Sequence, residues 1–232
     1  MIELRRALER GKTRTSWLNS NHTFSFGQYY DPGHLGFRDL LVINEDFVSP
    51  SQGFGTHGHD NMEILSFVIS GQLEHRDSTG GHGIIRPNEL QRMTAGTGVR
   101  HSEFNASDTE EVHFLQIWIL PDRAGLKPEY EQKAFTDEEK RGNFRVIASP
   151  NGVDGSVTIH QDVRLYDGLL KTDYTLEHYF APNRYGWIQI VKGAATVNNV
   201  GMRTSDGAAV SHESSILVKA TEDSEILLFD LR

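Results

Sequence analysis

The chain has 232 residues, enough for one large domain or two small ones, and its 37% hydrophobic and 24% charged residues are typical of a soluble globular protein. Its formal charge of −9 and the absence of any run rich in lysine and arginine argue against direct binding of nucleic acid. Cysteine is absent, so disulfides are excluded and a metal ion would need histidine and carboxylate ligands.

The N-terminal stretch carries no apolar core of signal-peptide length. No segment approaches the roughly 20 apolar residues that span a bilayer. We therefore expect a cytoplasmic protein that makes no contact with a membrane.

Short strands dominate the predicted elements. The chain opens on a helix-like stretch, residues 3–11, and a second charged stretch, residues 127–142, is either a helix or a solvated linker, with its charge favouring the linker. Between and after them come β-branched and aromatic runs bounded by Gly, Asn, Asp and Ser, which indicate an all-β sandwich or barrel. These runs are residues 40–44, 63–70, 112–120, 186–193 and 225–231.

The pattern of the first half returns in the second half. Residues 63–80 and 186–201 each consist of an apolar strand, a glycine, an alternating strand and a turn. Such self-similarity predicts two β-barrel units joined around residues 122–145. The second half has His160, His178 and His212 but no His-x-His pair, so we expect it to lack a metal site.

Two pairs of potential metal ligands stand far apart in the sequence. Side chains at i and i+2 of a strand point to the same face, so His57 and His59 share one face, and so do His101 and Glu103. If the two strands are neighbours, three imidazoles and one carboxylate converge, as a divalent ion requires. A lone His-x-His would be weak evidence, but the second pair strengthens it.

Glu63 is an alternative ligand. It has the same strand parity as His57 and His59, but four residues of extended chain place it about 13 Å from His59. It can join the site only if the chain folds back between them, and the sequence pattern alone leaves this open.

Three segments resemble signatures of the pirin family, which belongs to the cupin superfamily: residues 22–32, 54–71 and 93–103. The resemblance extends over essentially the whole chain, although Ser51 stands where the general cupin motif has glycine. It implies an all-β bicupin, with an N-terminal metal-binding cupin domain at residues 1–135. A degenerate C-terminal cupin domain without metal ligands would occupy residues 136–232.

The resemblance also implies a ligand set and an activity. Pirins take the glutamate two residues after the last histidine, so the implied ligands are His57, His59, His101 and Glu103, with Glu63 as the less favoured alternative. The likeness is to pirins of the quercetin 2,3-dioxygenase type, which open the heterocycle of flavonols and release carbon monoxide. Glu103 would then also be catalytic, accepting the proton of the substrate's 3-hydroxyl group.

The implied partners are small molecules: a flavonol or catechol-like substrate and dioxygen. Iron(II), Fe2+, is the cofactor expected for dioxygen chemistry, although zinc, cobalt, nickel, manganese and copper ions accept the same ligands. The alternative function is a non-enzymatic, metal-binding pirin that acts as a redox-sensitive regulator or as the partner of another protein.

The other histidines receive simpler interpretations. His75 and His82 flank a turn and are expected to be exposed, whereas His113 and His160 are expected in the core or at an interface. His22 is interpreted as a packing residue, with a place in a cavity wall as the alternative, and the aromatic residues of segment 22–32 are expected in the core or in packing between domains.

Overall fold

In the computed structural model, which describes all 232 residues, the chain is built almost entirely of β-strands. The only α-helix, α1, has four residues, and no helix is long and apolar enough to cross a membrane. The elements are β1 (Ile2–Arg5), β2 (Gly11–Arg14), β3 (Leu18–His22), β4 (Leu40–Val48), β5 (Gly53–His59), β6 (Glu63–Ser70), β7 (Leu73–Asp77), β8 (His82–Ile85), β9 (Glu89–Thr94), β10 (Val99–Asn105), β11 (Val112–Ile119), β12 (Glu129–Ala134), α1 (Asp137–Lys140), β13 (Arg145–Ser149), β14 (Val157–Thr158), β15 (Val163–Leu170), β16 (Thr175–Tyr179), β17 (Tyr185–Lys192), β18 (Ala194–Val197), β19 (Val200–Arg203), β20 (Gly207–Val210), β21 (Ser215–Ala220) and β22 (Ser224–Leu231), with short 3-10 turns at Ala7–Glu9 and Val153–Gly155.

The first structural unit comprises Gly11–Ala134 and Val157–Gln161. Its larger sheet has the strand order β12–β9–β6–β11–β4–β3–β2, and its smaller sheet has the order β5–β10–β7–β8. One end of this unit is filled by buried apolar side chains: Leu18, Val48, Val68, Leu73, Ile85, Val112 and Phe114. Burial of each such side chain contributes about 1.5–3 kcal/mol.

The inner face of the larger sheet turns from apolar to polar along three strands. On each strand an apolar and a polar residue stand two positions apart. The pairs are Leu18 and Ser20 on β3, Val48 and Asp46 on β4, and Phe114 and Gln116 on β11. Because positions two apart share a face, these buried polar side chains lie on the same side as the apolar core. The apolar end holds the unit together, and the polar end leaves room for a site.

The second unit comprises Met1–Arg10, Phe135–Ser156 and Asp162–Arg232. Its larger sheet contains the order β1–β20–β17–β22–β15–β13, and its smaller sheet has the order β16–β21–β18–β19. Its core is an apolar cluster that includes Ile188, Ile190, Ile216, Val218 and Leu228. The all-β prediction, with two sheet-built units, is confirmed.

A glycine marks the same position in both units. Gly71 follows β6 with a φ of 78°, and Gly193 follows β17 with a φ of 83°. A side chain at Gly71 would collide with the backbone of Glu111, just before β11, and one at Gly193 with the backbone of Asp223, just before β22. Both positions therefore need glycine for the left-handed backbone and for the close approach of the last strand.

The helix predicted at residues 3–11 is wrong. Residues Ile2–Arg5 form β1 instead, pairing antiparallel with Gly207–Val210 at the edge of the second unit's larger sheet. Only Ala7–Glu9 makes a short 3-10 turn. Pairing with a sheet edge satisfies the backbone groups of this segment and overrides its local helix propensity.

The stretch 127–142 also differs from its prediction. It is neither one helix nor a solvated linker, because Glu129–Ala134 pairs with Glu89–Thr94 as strand β12. Helix α1 follows, capped by the Thr136 side chain. The expected domain ranges were 1–135 and 136–232. In the structure the two units exchange short segments, because Met1–Arg10 belongs to the second unit and Val157–Gln161 to the first.

Candidate metal centre

Three adjacent strands of the smaller sheet carry the candidate ligands in three rows, one of which places His59 on β5 opposite Val99 on β10. In the next row, His101 on β10 lies opposite His57 on β5 and opposite Asp77 on β7. In the last row, Glu103 lies opposite His75 on β7 and opposite Phe54 on β5, after a register shift between these two rows. Such a bulge alters the direction of side chains locally and is common beside active sites.

Three imidazoles meet at one point. The Nε2 atoms of His57 and His101 are 3.0 Å apart, and the His59 ring centroid lies 4.8 Å from that of His57 and 4.9 Å from that of His101. One nitrogen from each ring lies within 4.8 Å of the other two. Two ligands at right angles on an ion, with bonds of about 2.0–2.1 Å, would be about 2.9 Å apart. The spacing of His57 and His101 therefore fits a metal ion.

The protonation of these rings also suits a metal. The His57 Nδ1 lies 2.8 Å from the carbonyl oxygen of Gly55, which only accepts, so Nδ1 carries the proton and Nε2 is free to bind. Burial, and then the neighbouring imidazoles, lower the pKa of His59 to about 4 and that of His101 to about 3. Both rings are therefore neutral at pH 7, the form in which histidine binds metals.

Glu103 is buried and held by two neighbours on the larger sheet. The Ser66 hydroxyl donates to its Oε1 at 3.0 Å, and the Gln116 amide nitrogen donates to its Oε2 at 2.9 Å. Glu103 clusters within 4.8 Å with His101 and His75, and the three-imidazole group is a separate cluster around the same His101. Glu103 lines the same cavity as His57 and His59.

Glu63 points to a different group of residues. Its Oε2 accepts from the backbone N–H of His160 at 3.1 Å and lies 3.3 Å from His160 Nδ1. It is fully buried, belongs to neither cluster of potential ligands and does not line the cavity. The chain does not fold back to bring Glu63 to His59, because Glu63 begins β6 in the larger sheet.

A cavity opens beside the imidazoles. Its volume is about 110 Å³, smaller than the roughly 300–1,000 Å³ of pockets that enclose a whole drug-sized molecule, so a larger ligand would enter with only its reacting part. Its apolar lining consists of Leu18, Phe26, Phe54 and Trp118, and its polar lining consists of Thr13, Ser20, His22, Asn44, Asp46, His57, His59, Glu103 and Gln116.

Asp46 is the unusual acid of this cavity. Burial, followed by the nearby charges of Glu103 and Glu45, raises its pKa to about 7, although a hydrogen bond with Ser20 opposes the shift. The cavity thus contains two carboxyl groups in different surroundings, one held by hydrogen-bond donors and one that burial keeps protonated over most of the acidic range.

The expectation that His75 is exposed is wrong. His75 is completely buried, and its Nε2 lies 3.0 Å from the carboxylate of the equally buried Asp77. Its ring centroid lies 5.3 Å from that of His101. Leu73, His75 and Asp77 alternate along β7 and so share one face, which could have indicated that His75 is buried. The turn residues that follow favoured the exposed interpretation instead.

His22 and Phe26 were expected to be packing residues, yet both line the cavity. His22 is fixed by Thr13 and Asn44, each 2.8 Å from one of its ring nitrogens. The remaining histidines lie apart from the cavity. His82 is exposed, and His113 stacks on Phe47 with ring centroids 3.9 Å apart.

A family model described as Pirin matches residues 2–119, about half of the chain. The chain belongs to the pirin family. A second family model, described as the quercetinase C-terminal cupin domain, matches residues 146–231 of this pirin. The family resemblance read from the sequence and the bicupin fold that it implied are therefore confirmed.

Similar proteins come from Escherichia coli. A protein of strain K12 named quercetin 2,3-dioxygenase is 48% identical over 231 residues, 100% of this pirin and 99% of that protein. The crystal structure of YhhW from E. coli matches with a TM-score of 0.97 and 48% identity, over 100% of this chain and 98% of that one. A structure of the bacterial pirin YhhW in complex with nickel(II) matches with a TM-score of 0.95 and 48% identity, over 100% and 99% of the two chains.

Both clusters of potential ligands in this pirin lie in the first unit. In the second unit, His178 lies 3.2 Å from the carboxylate of Asp230, which also accepts from Arg184. Neither cluster of three potential ligands includes His178.

Proposed function

We propose that this pirin is a metal-dependent dioxygenase that opens the heterocycle of flavonols such as quercetin and releases carbon monoxide. The observation that carries the proposal is the convergence of three imidazoles at one side of a cavity whose wall also contains a buried carboxylate. Support comes from the E. coli relative that bears the name of this activity.

His57, His59 and His101 would hold one divalent ion together with Glu103. A metal bound by three neutral imidazoles and a carboxylate keeps room for a substrate oxygen, lowers the pKa of a hydroxyl group bound to it and serves dioxygen chemistry. We expect iron(II). The E. coli pirin binds nickel(II) in its crystal structure, which agrees with the rule that metal availability and site geometry, as well as affinity, decide which ion occupies a site.

Glu103 would accept the proton of the substrate's 3-hydroxyl group. Ser66 and Gln116 each donate to one of its carboxylate oxygens and so hold its plane fixed. In the overall reaction both atoms of dioxygen remain in the depside product and one ring carbon leaves as carbon monoxide. The proton taken up by Glu103 returns to the new carboxyl group of the product, so Glu103 acts first as base and then as acid.

The apolar wall would hold the planar rings of the substrate. Phe26, Phe54 and Trp118 form this wall, and Trp118 lies edge-on to both Phe26 and His59, with centroids 5.4 and 4.9 Å apart. Aromatic walls of this kind exclude water and stack on flat ligands. A flavonol is flat and carries the hydroxyl donors that the polar side of the cavity accepts.

The test is turnover by metal-loaded protein. Metal-free protein is loaded anaerobically with iron(II) or nickel(II) and mixed with quercetin and oxygen, and the loss of flavonol absorbance and the release of carbon monoxide are followed. We expect one carbon monoxide per flavonol consumed. Absence of turnover with every divalent metal would contradict the proposal.

Four variants identify the residues responsible. His57→Ala, His101→Ala and Glu103→Ala should each lose metal, activity or both, because each removes a ligand. Glu63→Gln should keep its metal and its activity, since Glu63 bonds to His160 instead of facing the cavity. Loss of metal in Glu63→Gln with retention in Glu103→Ala would reverse the assignment. His82→Ala, at an exposed histidine, is the matched control.

A further inference from the structure

Two ring nitrogens beside the candidate metal centre have no hydrogen-bond partner. They are Nδ1 of His101 and Nδ1 of His75, and neither is reached by solvent. Buried polar atoms without partners are rare, because each costs about 1–3 kcal/mol, and each calls for an explanation. The two rings are neighbours, with centroids 5.3 Å apart and nitrogens within 4.8 Å.

The proton of His101 must lie on Nδ1 if this ring binds metal. Its Nε2 points at the other imidazoles, 3.0 Å from His57 Nε2, so Nε2 must be the atom without a proton. In the neutral ring, Nδ1 then carries the proton and needs an acceptor. His57 has such an acceptor in the carbonyl oxygen of Gly55, whereas His101 has none among its backbone neighbours.

The proton of His75 must lie on the opposite nitrogen. Its Nε2 faces the Asp77 carboxylate at 3.0 Å. The other oxygen of Asp77 accepts from the backbone N–H of Thr79, the Thr79 hydroxyl and the backbone N–H of Gly81, at 2.8, 2.6 and 3.0 Å. These three donors and the His75 ring surround Asp77 with groups that donate to it, as an ionised carboxylate requires. An ionised Asp77 draws the proton of His75 to Nε2 and leaves Nδ1 as an acceptor.

Glu103 is the other neighbour of His75, since the two lie opposite each other on paired strands. Both oxygens of Glu103 already accept hydrogen bonds, from Ser66 and from Gln116. Neither oxygen makes a hydrogen bond with His101 or His75, whose Nδ1 atoms both lack a partner, so the unpaired donor in this cluster is on His101.

We propose that His75 and Asp77 are positioning residues for the metal ligand His101: Asp77 fixes the His75 ring, and when the imidazoles close on an ion, His75 Nδ1 comes within reach of the proton of His101 Nδ1 and accepts it. The inference rests on the proposed metal site but not on the proposed reaction. A hydrogen bond behind a ligating imidazole sets its tautomer, orients its ring and makes it more basic, and loss of such a partner typically weakens metal binding about 10–100-fold.

Three variants separate this role from simple packing. His75→Phe keeps a buried ring but removes the acceptor. His75→Asn restores an oxygen acceptor near the position of Nδ1. In Asp77→Asn, the Thr79 and Gly81 donors keep the amide oxygen on their side, so the amide nitrogen faces His75 and reverses its tautomer. Circular dichroism and urea unfolding identify any variant that fails to fold.

The first measurement is the dissociation constant for nickel(II), by competition with a chelating dye. His75→Phe and Asp77→Asn should bind about 10–100-fold more weakly than the native chain. His75→Asn should stay within about threefold of native. The control pair, His113→Phe and Glu45→Gln, removes a histidine–carboxylate contact of equal length, 3.0 Å, from elsewhere in the first unit and should leave the affinity unchanged.

The second measurement is the tautomer of each ring in protein loaded with zinc(II), which is diamagnetic, by two-dimensional 15N–1H NMR of the imidazoles. We expect the proton on Nδ1 of His101 and on Nε2 of His75, and the opposite tautomer of His75 in Asp77→Asn.

Three outcomes would overturn the inference: equal weakening of nickel binding by His75→Phe and His75→Asn, an unchanged affinity in all three variants, or a His101 protonated on Nε2. Nickel binding without flavonol turnover would contradict only the proposed function. A native chain that binds no nickel would contradict the metal site and this inference with it.

Discussion

At the scale of single residues, burial decides which groups carry charge at neutral pH. It lowers the pKa of His59 and His101, so that both are neutral, and raises the pKa of Asp46, so that it stays protonated until about pH 7. Glu103, by contrast, has hydrogen-bond donors on both oxygens. The same cavity can therefore offer neutral ligands, an acceptor and a donor without any unusual residue.

The raised pKa of Asp46 makes a prediction about stability. In the folded chain the neutral acid is favoured, so its contribution to the free energy of unfolding is full below the unfolded pKa of 3.8 and is lost as pH rises through about 7. Asp46→Asn keeps a neutral side chain at every pH. In metal-free protein, the stability of Asp46→Asn relative to native should therefore increase from pH 4 to pH 8, as measured by urea unfolding.

The exposed Asp108 provides the control for this experiment. Asp108→Asn should show no such trend relative to native. A stability difference for Asp46→Asn that is flat, or that falls as pH rises, would show that Asp46 ionises freely in the folded chain.

At the scale of elements, cross-strand register brings together residues that no local pattern connects. The spacing of His57 with His59 and of His101 with Glu103 was visible in the sequence, and strands β5 and β10 are indeed neighbours. The supporting groups Ser66, Gln116 and His75 come from three further strands, and their contacts depend on registers that a single sequence does not contain.

In the N-terminal segment, the local sequence pattern predicted the wrong type of element. Residues 3–11 have the composition of a helix, but the free edge of β20 offers a full row of backbone partners, and Ile2–Arg5 pairs with it. Local propensity amounts to tenths of a kcal/mol per residue and is readily overridden by such pairing. The strands formed by apolar runs could therefore be predicted from the sequence, whereas the secondary structure of short charged segments could not.

A buried lysine of helix α1 forms two ion pairs with strands of the second unit. The Lys140 ammonium is completely buried, 3.1 Å from Asp167 and 3.2 Å from Glu225. Lys140→Met would leave Asp167 buried without its cation, so we expect the variant to lose about 3–5 kcal/mol of unfolding free energy. Urea unfolding at pH 7 measures this loss.

An exposed ion pair serves as the comparison for Lys140. Lys171 pairs with Asp223 at the surface, and Lys171→Met should change stability little, because exposed pairs are weak. Equal effects of the two lysine substitutions would contradict the importance assigned to burial.

At the scale of the whole molecule, two units with a similar strand pattern differ in their potential metal ligands. Both retain the strand–glycine–strand pattern around Gly71 and Gly193, which made the repeat visible in the sequence. Both clusters of potential metal ligands lie in the first unit. The second unit takes its edge strand from the start of the chain, which no repeat in the sequence indicated.

The exchanged N-terminal segment should stabilise the second unit specifically. Besides the β1 pairing, Arg6 Nη1 donates to Asp206 at 2.9 Å. Removal of residues 1–10 should speed hydrogen exchange at residues 207–210 and lower the melting temperature, because one edge of the sheet loses its partner. Nickel affinity should be retained, since every proposed ligand lies in the first unit. Unchanged exchange at residues 207–210 would show that β1 contributes little.

The central claim is that His57, His59, His101 and Glu103 hold one divalent metal ion at the wall of the cavity. The most direct measurement is a crystal structure of nickel-loaded protein with anomalous data collected at the nickel absorption edge. We predict one anomalous peak per chain, within bonding distance of those four side chains and open towards Phe26 and Trp118. A peak beside Glu63 and His160, or no peak in the first unit, would contradict the account.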